Sequence, residues 1–145
     1  MAISGDTGNG ATLALALFDG TTAITAALEV ISITPSAITV GKVDTSTLGT
    51  TGHRESIPDD LADSGDNTAT FKWLTSATPP TLPSPSGTIT VTFPMRTGET
   101  TAATHTGTGF ITSLTPPTFE NGVLQVGQIA WQWDGDTGPS LTKSA

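Results

Sequence analysis

Two histidines, a run of carboxylates, four scattered glutamates and a pair of tryptophans are the side chains here with types suited to chemistry. His53 and His105 each lack a second histidine at i+2, i+3 or i+4, so neither has the spacing that holds zinc. Both read as exposed loop residues. The run Asp59, Asp60, Asp63, Asp66 and Asn67 does not keep the one-three-five spacing of a calcium loop. Asp134-Gly135-Asp136 is shorter still. Both read as solvated turns in which Asp caps backbone N–H groups. Glu29, Glu55, Glu99 and Glu120 have the type needed for a glycosidase acid and nucleophile, but nothing in their spacing pairs them. The chain also has no tyrosine. Trp131 and Trp133 stand at i and i+2 of a strand pattern and share a face. They suit a sugar platform or, more often, a core or a subunit interface. No Gly-x-Ser-x-Gly elbow, phosphate loop or dinucleotide fingerprint occurs. The expectation is a protein that is not an enzyme and uses neither cofactor nor metal.

The elements that would carry these residues read as strands. Leu13, Leu15 and Leu17 alternate over Thr12–Phe18, and Asp19-Gly20 ends that run. Further strand patterns cover residues 23–33, the first part of which is also compatible with helix, and 37–43. Thr88, Thr90 and Thr92 alternate with Ile89, Val91, Phe93 and Met95 over 88–95, the cleanest strand pattern in the chain. Residues 68–74 alternate in the same way. Later patterns cover 109–114 and 123–133. Asn121-Gly122 signals a hairpin turn, and a phase slip near Gly127 suggests a bulge there. Two stretches fit no strand: a polar loop at 44–67, too long for an ordinary connection, and a Pro-rich connector at 78–87. The expected core is Leu13, Leu15, Val30, Val40, Phe71, Ile89, Val91, Phe93, Phe110 and Ile129.

Composition agrees with an all-β fold. Thirty of the 145 residues are threonine, 16 are glycine and 10 are proline. Threonine fits a pleated surface and the other two punctuate turns. The length suits a single domain over 1–145. There is no cysteine, and the net charge is −8. Nucleic-acid binders present a basic patch, and five cations against 13 carboxylates do not supply one. No basic leader and no run of about 20 apolar residues is visible. The expectation is a soluble chain made in the cytoplasm.

From Val43 onward a family pattern is visible. Asp44-Thr45-Ser46-Thr47-Leu48, followed by Arg54-Glu55-Ser56-Ile57-Pro58-Asp59-Asp60-Leu61-Ala62-Asp63-Ser64-Gly65, resembles the long loop of tail tube proteins from long-tailed, non-contractile bacteriophages. That loop has a "D-x-T-x-L" turn and then a stretch like "R-E-x-I-P-G-L-x-D-x-G-E". Met1-Ala2-Ile3-Ser4 is similar to the family's N-terminus, and the stretch from Leu28 to Pro35 to its second strand. Gly107-Thr108-Gly109-Phe110-Ile111-Thr112-Ser113-Leu114 is similar to its late strand. The chain departs from the family at Asp59-Asp60, where Gly is common. It departs again at the Pro-rich connector, where the family places a helix.

The resemblance implies a β-sandwich or barrel with a long polar loop, and the Pro-rich connector in place of the family's helix leaves an expectation of little or no helix. It implies a structural virion protein that self-assembles into stacked, hexameric rings. The rings form a tail tube, and DNA passes through the lumen without specific binding. The partners would be copies of itself and other tail proteins, with no membrane. The loop would be the stacking element, with Leu48, Arg54, Glu55, Ile57, Pro58 and Leu61 at the interface. Arg54 would pair with a carboxylate across that interface, or with Glu55, Asp59 or Asp60 inside the loop. One alternative is a carbohydrate-binding or adhesive sandwich using Trp131 and Trp133. The other is a different small β-rich phage protein, such as a tail terminator, connector or decoration protein, though the sequence carries no match to their patterns.

Overall fold

In the computed structural model, residues 10–21, 23–74 and 78–145 are described. The N-terminal match at Met1-Ala2-Ile3-Ser4 lies outside them. The described chain forms β1 (Thr12–Phe18), β2 (Ala23–Leu28), β3 (Val30–Thr34), β4 (Ile38–Asp44), β5 (Ser56–Ser64), β6 (Asn67–Lys72), β7 (Gly87–Thr92), β8 (Thr104–Thr115), β9 (Val126–Trp133) and β10 (Ser140–Thr142). There is no helix among the described residues.

The main sheet runs β2-β1-β7-β8-β9-β6-β3, with β10 added to β8. Every pairing is antiparallel. β2 and β3 stand at opposite ends of that order, yet only Glu29 separates them in the chain. The sheet must therefore curl until its two ends meet at one stretch of backbone. The result is a β-sandwich closed like a barrel, with one set of alternating side chains inside.

Alternation decides what fills it. Leu13, Leu15 and Leu17 of β1 and Ile89 and Val91 of β7 face inward, beside Ala69, Phe71, Ile129, Trp131 and Trp133. Trp131 is 1% exposed and meets Trp133 edge to face, with ring centroids 6.3 Å apart. Gly87 and Gly109 are register partners. A Cβ on Gly87 would lie 2.3 Å from the Ala16 carbonyl oxygen, and one on Gly109 would lie 2.4 Å from that of Gln132. Only glycine admits so close an approach of neighbouring strands.

Several expectations are corrected. Phe110 is half-buried and Ile111 takes the inward position, because the β8 residues before them, Gly107 and Gly109, carry no side chain to set the phase. Phe93 is 41% exposed, since β7 ends at Thr92 and Pro94 follows. Val40 lies off the main sheet and is exposed. Val30 is half-buried, packed against the core. The strand pattern over 23–33 breaks at Glu29 and changes neighbours there. The bulge is not at Gly127, where β9 stays in phase, but between Ile111 and Ser113 of β8. Gly127 instead makes room: a Cβ there would sit 2.7 Å from Trp73 Cε3.

Candidate assembly surface

The stretch 44–67 is not a loop throughout. Its second half is β5, which pairs with β4 in a two-stranded antiparallel ribbon that joins no other strand. β5 tolerates Pro58 because it has a neighbour on one side only. The register jumps between Val40 and Lys42, and Asp59, Asp60 and Leu61 bulge out there.

The tip is held by local hydrogen bonds. Asp44 Oδ1 accepts from the Ser46 N–H at 2.9 Å, and this bond holds the Asp44 carboxyl below the usual carboxylate range. Ser46 Oγ accepts from the Glu55 N–H at 2.7 Å, and the Thr45 N–H donates to the Glu55 carbonyl at 3.0 Å. Gly52 turns the chain at φ 87°, a conformation that favours glycine.

The root is held by Asn67, which is fully buried. Its Oδ1 accepts from the Ser36 N–H at 2.9 Å, and its Nδ2 donates to the carbonyls of Gly65 at 3.5 Å and Trp131 at 3.4 Å. One side chain thus ties both legs of the ribbon to β9. Ser36 Oγ adds a bond to the Gly65 carbonyl at 2.8 Å.

All six residues expected at the interface lie on this ribbon. Leu48 is fully exposed at the tip, Ile57 is 53% exposed opposite Val43, and Leu61 is 77% exposed in the bulge. Pro58 stands opposite Lys42, and Glu55 closes the tip. Arg54 pairs with Asp44 at 3.4 Å, a partner inside the ribbon other than the three anticipated. Both side chains are mostly in water, so the pair adds little stability. Ile38, Val40 and Val43 are exposed as well. These uncovered apolar side chains make the ribbon a candidate interaction surface.

Trp131 and Trp133 are elsewhere, in the core, and offer no face on which a sugar ring can stack. Two features escaped the sequence. His105 is not in a loop but on β8, 6% exposed and packed at a tilt against Trp133, with ring centroids 5.2 Å apart. Burial pushes its pKa below the ordinary value, and its Nε2 has no hydrogen-bond partner. His105 also lines a cleft of about 820 Å³ between β3 and the adjoining ends of β7 and β8. Pro35, where the chain leaves for the ribbon, forms part of its rim. Among the described residues no group of three or more potential metal ligands comes together.

No protein-family model matches the sequence, and no curated protein matches it significantly. Solved structures do share the fold. The chain is similar to a chain of the PVC sheath/tube terminator of an extracellular contractile injection system, with TM-score 0.68 and 16% identity over 98% of each chain. It is similar to a chain of the anti-feeding prophage tube-terminating cap, with TM-score 0.63 and 15% identity over 98% of this chain and 93% of that one. A chain of the PVC sheath–tube complex in the extended state matches with TM-score 0.59 and 15% identity, over 91% and 86%. At such identity the likeness concerns the fold. Two of these neighbours come from a contractile injection system, so the narrower resemblance to non-contractile tails is not what they carry.

Proposed function

We propose that this chain is a non-enzymatic structural subunit of a phage tail or tail-like particle. Copies associate head-to-tail into rings, six to a ring, and the rings stack around a channel through which DNA passes. The virion tail is the place where such a subunit works. The observation that carries this reading is the β4–β5 ribbon, an arm that projects from the main sheet with its apolar side chains uncovered. The fold shared with tube-associated proteins over nearly the whole chain supports it. So does the charge: a conduit should not grip its cargo, and a net −8 repels phosphates.

A second reading has its own support. Two of the neighbours are chains from structures of a sheath/tube terminator and of a tube-terminating cap. A subunit with that role forms rings that end a tube and do not stack on one another.

Replacing residues 38–64 by a short Gly-Ser linker tests the reading. The variant is expected to keep the near-UV circular dichroism of its buried tryptophans and to sediment as a monomer where the parent associates. Unchanged association of a folded variant would show that the ribbon is not the assembly element.

A further inference from the structure

We propose that the cleft between β3 and the β7–β8 end is the receptor for the β4–β5 ribbon of the next copy. This rests on the head-to-tail reading above and adds the acceptor that reading lacks.

The two surfaces match in polarity. The ribbon presents Val43, Leu48, Ile57 and Leu61 to solvent. The cleft is walled by Val30, Ile33, Val91, Phe93, Pro94 and Ala103. Phe93 and Ile31, which also line it, are 41% and 53% exposed. Each surface leaves apolar area in water that the other can cover.

They also match in charge. The ribbon and its tip hold Asp44, Glu55, Asp59, Asp60 and Asp63 against Lys42 and Arg54. Outside it the chain has three cations, Lys72, Arg96 and Lys143. Two of them flank the cleft: Arg96 follows the lining residue Pro94 by two positions, and Lys143 precedes the lining residue Ser144. Both are exposed. The carboxylate inside the cleft, Glu99, is engaged by Ser144 Oγ at 2.7 Å and the Arg96 N–H at 2.9 Å. Against the carboxylate of Glu99, these two cations leave the surroundings of the cleft with one positive charge in excess, opposite in sign to the acidic arm.

The ribbon is unsuited to filling its own cleft. It departs from the cleft's rim at Pro35, and the 7 residues of β4 carry the tip roughly 20 Å along the strand direction. Donor and acceptor are different surfaces of one molecule, so a contact made in one direction is heterologous and generates rings or open stacks, whereas a reciprocal exchange of ribbons would close a two-fold dimer.

The chain has no cysteine, so introduced thiols are unique. Ile57→Cys and Phe93→Cys are made as separate proteins, mixed, and bridged with a short bis-maleimide. Ile31→Cys serves as a second acceptor position. The expected result is a covalent dimer of unlike copies, formed in the mixture and absent from either protein alone. Its yield should fall severalfold when the acceptor also carries Arg96→Glu and Lys143→Glu, and recover when the donor carries Asp59→Lys and Asp60→Lys. If the copies assemble by sedimentation but give no cross-link between unlike copies, or if the charge reversals change nothing, the cleft is not the receptor and the assembly reading stands. If no assembly occurs, both fall. A Phe93→Cys thiol equally shielded from maleimide in dilute monomer would mean that the cleft is filled by its own chain, which also overturns the proposal.

Discussion

Asn67 and His105 are the two polar side chains buried among the described residues, and the fold treats them differently. Asn67 reaches three backbone partners, whereas His105 Nε2 has none. A buried imidazole without a partner favours its neutral form. Its folded pKa lies below the unfolded value of 6.5, with desolvation the cause. The stability linked to this group is therefore complete above about pH 6.5 and is lost as pH falls through the lower folded value. Urea unfolding at pH 7 and pH 5 should show a lower midpoint at pH 5, and His105→Phe, which keeps a ring against Trp133, should shrink that difference. An undiminished difference in the variant would assign the pH dependence to other groups. A signal for this placement existed in the sequence. Thr104, Thr106 and Thr108 alternate with His105, Gly107 and Gly109, but two of the inward positions carry no side chain, so the period-two pattern is silent in hydrophobicity.

At the scale of elements, strands with large inward residues were legible and strands without them were not. β1 and β7 announce themselves through Leu13, Leu15, Leu17, Ile89 and Val91. β5 is hidden because SIPDDLADS pairs on one side, buries none of its residues and takes its strand form from β4 alone. β10 is hidden because three residues give no period. The ribbon's candidate residues were readable as a group, since exposed apolar positions amid carboxylates stand out. Their partners were not: the Asp44–Arg54 pair depends on the tip geometry, and the cleft on strands far apart in sequence. The joint between ribbon and sheet rests on Asn67. Asn67→Ala removes three hydrogen bonds, the one to the Trp131 carbonyl buried, which should cost about 1–3 kcal/mol. Hydrogen exchange should show the Ser36 amide opening faster while those of β1 and β7 are unchanged. Equal protection at Ser36 would mean that Asn67 does not hold the root.

Across the whole molecule, charge and sheet are kept apart. β1, β2, β3, β7, β8, β9 and β10 contain no Asp, Glu, Lys or Arg, and β6 contains only Lys72. Soluble monomers usually place charge on exposed strand edges to prevent pairing with other chains. Here the carboxylates gather in the ribbon and the turns, leaving the sheet with an outer face of Thr, Ala and Gln. Such a surface suits a subunit that is covered in an assembly, which is the central claim. Electron microscopy of the purified, concentrated protein in negative stain tests it most directly. We expect hollow rings or stacks of rings of uniform diameter, stacks for a tube subunit and single rings for a terminator. A field of dispersed monomers, with a monomer mass by sedimentation in the same sample, would contradict the claim.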